Sequence, residues 1–575
     1  MVDRFDGVKM KMTWPQSVYI AQLNPTIGAI EANCSAIAKC IDEAKNKGYD
    51  LVVCPEMAIC GYIPDDLLLE SGFVESVERA VEALLPKTKG TALIVGTVRK
   101  SPDAIGKPLK NSAAVIVDGK LLGYQDKSLL PTYDVFDEWR YFEPGVSQQV
   151  WEIAGAKIGI TICEDLWPTY DHFCRSRYQH DPLQGLEDQN LDLLINISAS
   201  PYSLGKIEAR QKMAMQAASR LQCPVILVNQ VGAQDGLLFD GSSLVVSASE
   251  ELLFQAASFS VDCFLYHFDQ KGLLERMQFE KGQELFLALC MGLKDYFAKQ
   301  GFSKACLGLS GGIDSAVVTC IAVVALGKEN VLGVLLPSRF TSVESREDAL
   351  ALADSLGIET HEIGIEGPLN AFIDVLEPVF GTGNWGVTQE NLQSRIRGTL
   401  LMAISNQTGH LLLNTGNKSE LAVGFTTLYG DSCGAISVLG DLLKHQVYEV
   451  AAWINEQGIN SQKMVIPNSI ITKEPTAELR DGQKDSDTIP EYPILDVIVE
   501  QHIVHGKTLE EIAIEYDFAL SLVEEVVRKI YANEYKRRQV PFALRVSEKA
   551  FYSGRRVPIV QRWGKGSHPL VLPLL

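Results

Sequence analysis

The chain lacks the marks of several common protein classes. Its 12 cysteines are scattered without a CxxC pair and its 9 histidines form no cluster, so free thiols are expected rather than a disulfide framework or a zinc site. No apolar run reaches the length of a membrane span, and Asp3, Arg4 and Asp6 have no apolar stretch behind them, so neither membrane insertion nor a signal peptide is expected. Basic charge is in deficit: 52 Lys and Arg stand against 72 Asp and Glu, a net charge of -20, which argues against a nucleic-acid partner. Internal repeats and low-complexity runs are absent too. What these absences leave is a cytoplasmic protein acting on small molecules, and its 575 residues exceed what one ordinary core holds, so at least two domains are expected.

What is present is short apolar runs alternating with longer amphipathic segments, the pattern of an α/β layered fold. In the first half, strands are expected at Val18–Leu23, Leu51–Val53, Ala92–Val95, Ala113–Val117, Ile158–Ile162, Leu191–Ile197 and Val225–Val228, with helices at Glu31–Lys47 and Lys206–Leu221. The pattern breaks between Tyr266 and Gly282, which places a domain boundary near residue 275. Beyond it, a helix at Glu284–Gln300 leads into strands at Ala305–Leu309, Val331–Leu336 and His410–Asn414, with helices at Val343–Leu356 and Asn391–Ser405. Asp481–Pro490, rich in charge and small residues, reads as the most flexible stretch.

The sharpest local signal is SGGIDS, Ser310 to Ser315, between the strand at Ala305–Leu309 and a helix-like run. Paired glycines let the backbone approach a polyphosphate, and the following helix turns its free amides and positive dipole end toward that anion. No Lys-Ser or Lys-Thr follows, so this is not a Walker A loop, and the spacing is not GxGxxG. Asp314 would repel bare phosphate and so implies an intervening Mg²⁺. Taken alone, the hexapeptide also reads as a glycine-rich turn that binds nothing.

In the first half, Glu56, Lys127 and Cys163 each follow a strand-like run, where distant side chains can converge at the end of a sheet. Together they form an amidase apparatus: a cysteine nucleophile, a carboxylate that takes and returns its proton, and an ammonium facing the oxyanion. Singly, the cysteine reads equally as a small core residue, and the two charges as solvated surface.

Longer motifs decide between these readings. SGGIDS resembles the signature of the ATP pyrophosphatases, covering Gly308, Leu309, Ser310, Gly311, Gly312, Ile313, Asp314 and Ser315. CPEMAICGYIPDDLL from Cys54, DKSLLPTYDVFDEWRYFEPG from Asp126 and CEDLWP at Cys163–Pro168 resemble the nitrilase, or carbon-nitrogen hydrolase, superfamily over roughly residues 15 to 270. That resemblance implies an α-β-β-α sandwich, a supporting role for Glu138 beside the lysine, and glutamine contacts from Tyr133, Ser200 and Lys206. In the second half TQENLQSRIRG, NTGNKSELAVGFTTLYGD, EPTAELRDGQKDSDTIPEYPILD and EYKRRQVP resemble the glutamine-dependent NAD⁺ synthetase family. The implied second domain is a Rossmann-like parallel sheet, dividing the chain into 12–275 (glutaminase) and 276–575 (synthetase).

By the same resemblance, Thr415, Lys444 and Thr476 contact ATP, with LPSRFTS near the adenine. Asn391, Glu420 and Lys536 contact deamido-NAD⁺, with Arg395 and Arg397 as weaker additions, and Asp314 and Glu420 hold Mg²⁺. His445 replaces a common Thr, and Leu428 stands where ammonia-only relatives carry a Lys. The implied reaction adenylates the carboxylate of deamido-NAD⁺ and aminates it with ammonia from glutamine, carried along a protected path, in a homo-oligomer. Two other readings are an ATP pyrophosphatase that aminates a nucleotide base and a catalytically dead sensor of glutamine or ATP.

Overall fold

The computed structural model describes residues 17–167, 178–268, 279–383, 385–459, 462–551 and 554–563. It divides into two compact units: Met1–Pro201 with Gly205–Gln234 and Phe239–Gln278, and Phe279–Leu575 with the short pieces Tyr202–Leu204 and Asp235–Leu238. The expected boundary at residue 275, like Pro168 of the CEDLWP motif, lies outside the described residues.

The first unit is built on two six-stranded sheets. One runs Asp262–His267, Ser17–Gln22, Leu51–Val53, Ala92–Lys100, Leu109–Val117, Lys120–Asp126; the other runs Leu252–Gln255, Leu244–Val246, Val225–Asn229, Leu193–Ser198, Ala156–Ile162, Val150–Ile153. Their central strands pair in parallel: Val18 to Ile20 with Leu51 to Val53, and Ile158 to Ile162 with Leu193 to Ile197. Strands covered on both faces have no solvent side, which is why they read as unbroken apolar runs. Ile20, Val53, Ile94 and Val115 of one sheet share a core with Ile160, Ile195 and Val228 of the other. Helices Ile30–Asn46 and Phe73–Leu84 lie on the first sheet, and Lys206–Leu221 covers the second through Met213, Ala217 and Leu221. The unit is thus an α-β-β-α sandwich.

One expectation fails here. The strand Asp262–His267 runs through Tyr266, where the sequence reads as the start of a polar break, because pairing with Ser17–Gln22 carries it onward.

The second unit has a five-stranded parallel sheet in the order Glu359–Glu362, Val331–Leu335, Ala305–Gly308, Leu411–Asn414, Ile436–Ser437. Helices Lys281–Gln300, Ile313–Leu326 and Lys444–Gln457 pack together, while Val387–Thr408 covers the sheet through Ile396 and Leu401. Numbered by chain order, the strands run 3-2-1-4-5, so the order reverses between Ala305–Gly308 and Leu411–Asn414. Ligands of such sheets bind at this switch point, outside the strands' carboxyl ends. SGGIDS and Thr415 both begin there. A helical cluster, Tyr492–Val499, Leu509–Glu515 and Leu520–Ala532, packs around Leu495, Ile512 and Val527.

Ile195 is fully buried at the centre of the first unit. Ile195→Ala is expected to cost that unit about 2–5 kcal/mol, visible as faster amide hydrogen exchange in Leu193–Ser198 and its neighbours with no change in Ala305–Gly308. Equal loosening of both sheets would contradict this division of the core.

Candidate active sites

The first unit gathers its predicted residues into one buried array. Glu56 follows the strand Leu51–Val53 on a loop that crosses Gly96 so closely that a Cβ there would sit 2.3 Å from Pro55 O and Met57 N. Lys127 follows Lys120–Asp126, and its backbone N–H donates to Asn111 O at 2.8 Å. Lys127 Nζ then donates to Glu56 Oε1 at 2.8 Å and to Glu138 Oε1 at 2.7 Å, and all three side chains are at most 1% exposed. The solvated-surface reading of Glu56 and Lys127 is therefore wrong. The second oxygen of Glu56 accepts from Ala199 N at 2.9 Å, and Tyr62 Oη donates to Glu138 Oε1 at 2.7 Å.

Cys163 opens a short turn, Cys163–Leu166, at the end of Ala156–Ile162, and its φ of 44° holds a side chain in the left-handed region. Burial pushes its thiol pKa up and the Glu56 charge adds to this, while Lys127 pulls it down. Lys127 itself meets a burial penalty that Glu138 and Glu56 outweigh, so its pKa stands well above the ordinary value and it remains an ammonium. With two carboxylates sharing one cation, burial lifts Glu138 to about 7, against the pull of Lys127.

Two residues that no motif reading singled out brace this array. Asp165 accepts from Ser128 N at 3.0 Å, Leu129 N at 2.8 Å and Ile162 N at 3.0 Å, tying the cysteine turn to the lysine loop. Glu164, beside the cysteine and 3% exposed, accepts from Tyr133 Oη at 2.9 Å and from Tyr178 Oη at 3.1 Å. Of the expected glutamine contacts, Tyr133 is thus adjacent to the nucleophile's turn. Lys206 Nζ lies 3.9 Å over the Trp167 ring, four residues after Cys163, and Ser200 follows Ala199 with its N–H on Asn229 Oδ1 at 2.9 Å.

In the second unit a cavity of about 330 Å³ opens at the switch point. SGGIDS with the preceding Gly308 and Leu309, Thr415, Glu420, Lys444 and Thr476 all line it, together with Arg397. Gly311 is required twice over: its φ is 76°, and a Cβ would lie 2.1 Å from Ser345 O. Ser310 Oγ and Ser315 Oγ bridge at 3.1 Å, and Ser310 Oγ accepts from Gly312 N at 3.2 Å, shaping the cradle before the helix Ile313–Leu326. Lys444 Nζ pairs with Asp314 Oδ2 and lies 3.5 Å from Glu420 Oε1. Asn417 Nδ2 donates to Asp314 Oδ1 at 3.1 Å. Burial lifts Glu420 to about 8, with Lys444 opposing and Asp314 reinforcing.

Asp485 belongs to the stretch expected to be most flexible. It is 7% exposed, opens the turn Asp485–Asp487, accepts from Tyr492 Oη at 2.9 Å and lines the same cavity. Thr476 Oγ1 donates to Gln483 O at 2.6 Å. Asn391, Arg395 and Lys536 lie outside the cavity lining and converge on the loop Gly424–Asp431, whose Phe425, Thr426 and Asp431 do line it. Asn391 Oδ1 accepts from Thr427 Oγ1 at 2.7 Å, Arg395 Nε donates to Leu428 O at 3.1 Å, and Lys536 Nζ donates to Gly424 O at 2.7 Å.

Residues 18–270 match the family model described as carbon-nitrogen hydrolase, and residues 285–540 the one described as NAD synthase. The class is therefore an amide-cleaving sandwich joined in one chain to an NAD synthase. The glutamine-dependent NAD(+) synthetase of Synechocystis sp. is 45% identical over 95% of this chain and 98% of its own length, and that of Acinetobacter baylyi is 39% identical over 95% and 98%. The solved glutamine-dependent NAD+ synthetase of Acinetobacter baumannii, in complex with ADP, superposes with a TM-score of 0.75 at 37% identity, covering 96% of this chain and 99% of that one. The Cytophaga hutchinsonii enzyme of the same name shares the fold with a TM-score of 0.79 at 20% identity, over 95% and 98%. This chain belongs to the glutamine-dependent NAD(+) synthetase family.

Because Lys127 is the cation that favours the Cys163 thiolate, Lys127→Met is expected to slow alkylation of Cys163 by iodoacetamide at neutral pH by about tenfold or more, the effect of one pKa unit on thiolate fraction. Peptide mass mapping against time reads this directly; an unchanged rate would remove Lys127 from the cysteine's surroundings.

Proposed function

We propose that the first unit, broadly 12–275, hydrolyses glutamine and that the second, broadly 276–575, uses ATP and the released ammonia to convert deamido-NAD⁺ to NAD⁺. The observation that carries this reading is that one chain holds a buried Glu-Lys-Glu array beside a strained cysteine and, separately, an SGGIDS cradle at a sheet's switch point.

In the first site Glu56 takes the Cys163 proton and the thiolate attacks the γ-carboxamide carbon of glutamine. The oxyanion faces the Lys127 ammonium, which burial strengthens as an electrostatic partner. Collapse expels ammonia with the proton returned by Glu56, and a water deprotonated by the same carboxylate then hydrolyses the thioester to glutamate. Glu164, flanked by Tyr133, offers the negative charge that the substrate's α-ammonium requires, with Lys206 and Ser200 assigned to the remaining polar groups.

In the second site the cradle amides and Lys444 receive the triphosphate of ATP, while Thr415 and Thr476 flank the nucleotide. The nicotinate carboxylate of deamido-NAD⁺ attacks the α-phosphorus, pyrophosphate leaves, and the carboxylate becomes an acyl-adenylate. Ammonia then attacks the acyl carbon and AMP departs, giving the carboxamide of NAD⁺. Asn391 and Lys536 hold the dinucleotide by shaping the loop Gly424–Asp431, with Glu420 at the cavity wall.

Asp314, Glu420 and Asp485 set three carboxylates against one lysine on a cavity meant for an anion, a donor set that fits a hard divalent cation. Among the described residues no three His, Cys, Asp or Glu side chains form a ready metal cluster. Asp314 and Glu420 would therefore share Mg²⁺ with phosphate and water oxygens, the ion screening triphosphate charge. Every cysteine among the described residues is free, in keeping with a cytoplasmic location, and homo-oligomerisation is carried over from the family resemblance. No helix among the described residues is long and apolar enough to cross a membrane.

Cys163→Ala is expected to abolish glutamine-dependent synthesis while leaving synthesis from ammonium salts largely intact, measured by NAD⁺ formation with each nitrogen source. Equal loss of both activities in a folded variant would refute the division of labour. Asp314→Asn should instead remove synthesis from either source and the release of pyrophosphate, yet spare slow glutamine hydrolysis; normal pyrophosphate release at saturating Mg²⁺ would exclude Asp314 from the phosphate site.

A further inference from the structure

Asn111 is the third residue of the strand Leu109–Val117, 1% exposed, and the residues that follow it from Ser112 onward are small or apolar. Its Nδ2 donates to Glu56 Oε1 at 2.7 Å and to Glu138 Oε2 at 3.3 Å. Those carboxylates are also joined through Lys127, which donates to Glu56 Oε1 and Glu138 Oε1. The four side chains therefore close a ring: carboxylate, ammonium, carboxylate, amide.

The other end of the amide is equally informative. Asn111 Oδ1 is buried and has no hydrogen-bond partner among the described residues. An unsatisfied buried carbonyl is costly, and a similarly sized apolar side chain would avoid it. The position thus sacrifices an acceptor in order to place a donor on the two carboxylates. Turning the amide over would point Oδ1 at both, so its orientation is fixed by the ring.

We propose that Asn111 is a positioning residue for glutamine hydrolysis, holding Glu56 and Glu138 in register about Lys127 without adding a second positive charge. This rests on the glutaminase reading above. A second cation in its place would cancel the array's net negative charge and compete with Lys127 for the two carboxylates. An apolar residue would leave two carboxylates on a single lysine, and the array would gain a proton as pH falls, first at the carboxylate that is hardest to ionise. The charged or titratable groups facing the array are Glu56, Lys127, Glu138, Tyr62 and Cys163, with Asp165 acting on Lys127 from the cysteine turn. Glu138 is lifted to about 7 by burial, and of the two carboxylates it receives the longer Asn111 bond, 3.3 Å against 2.7 Å for Glu56.

The test uses Asn111→Ala and Asn111→Asp in the full chain, with glutamine hydrolysis and ammonia-dependent NAD⁺ synthesis followed from pH 5.5 to 9. In Asn111→Ala the glutaminase kcat should fall about ten- to a hundredfold, the range for a lost hydrogen bond to a buried charge, with KM for glutamine changing less than about threefold. Its acid limb should move up by about one pH unit. Asn111→Asp keeps the shape but adds a third carboxylate, which can act as a donor only when protonated. It should therefore show an alkaline limb absent from the parent enzyme, with activity recovering toward low pH. Ammonia-dependent synthesis should be unaffected in both. Parent-like pH profiles in the two variants would overturn the proposal, as would a loss confined to KM. Loss of ammonia-dependent synthesis along with glutaminase activity would make Asn111 a folding residue and count against it equally. Failure of the underlying reading is separately visible, because glutamine-dependent synthesis would then survive Cys163→Ala.

Discussion

A lysine ammonium cannot be buried alone, and both sites are organised by that constraint. Taking the charge out of water costs several kcal/mol unless opposite charges and hydrogen bonds replace the solvent. Lys127 is bracketed by Glu56 and Glu138, and Lys444 by Asp314 and Glu420. In each case two carboxylates answer one ammonium, so the pair is overcompensated, and burial, reinforced by the neighbouring carboxylate, lifts one of them toward neutrality, Glu138 to about 7 and Glu420 to about 8. On the proposed reading the surplus charge serves differently in each site. In the sandwich it would supply a base beside a thiol, steadied by the neutral donors Asn111 and Tyr62; at the switch point it would supply oxygen ligands for a cation accompanying ATP.

The folds deliver these groups by the same device of strand ends. Glu56, Lys127 and Cys163 follow three strands of two facing sheets, so the shared core between Val53, Val115 and Ile162 sets their spacing. Close backbone approach at Gly96 and Gly311 then fixes the loops that carry Glu56 and the phosphate cradle. A Cβ at either position would push a loop, not merely a side chain, and displacements of that kind are costly to catalysis because reacting groups tolerate little misplacement.

Much of this was legible in the sequence. Strands buried on both faces announce themselves as apolar runs, and Leu51–Val53 and Lys206–Leu221 are found with the bounds read from pattern alone. SGGIDS carries its own chemistry, and the reactive trio stands at strand ends. What was hidden is the bonding between residues far apart in the chain. Asn111 lies just before the strand expected at Ala113–Val117 and carries no local signal, because its partners lie 55 and 27 residues away. Asp165 has no role legible within CEDLWP, because two of its three backbone donors lie 36 and 37 residues away. Local composition also misled: polar Tyr266–His267 continues a strand because a partner strand is there, and charged Asp485 is buried because Tyr492 and the cavity enclose it.

The central claim is that the two overcompensated lysines serve two separate chemistries, amide cleavage at one and carboxylate activation at the other. It is tested most directly by supplying glutamine labelled with heavy nitrogen at the amide, deamido-NAD⁺ labelled with heavy oxygen in its carboxylate, and ATP, then analysing the products by mass. The account predicts heavy nitrogen in the carboxamide of NAD⁺ and one heavy oxygen in the phosphate of AMP, with none in pyrophosphate. Unlabelled AMP, or heavy oxygen in pyrophosphate, would contradict it.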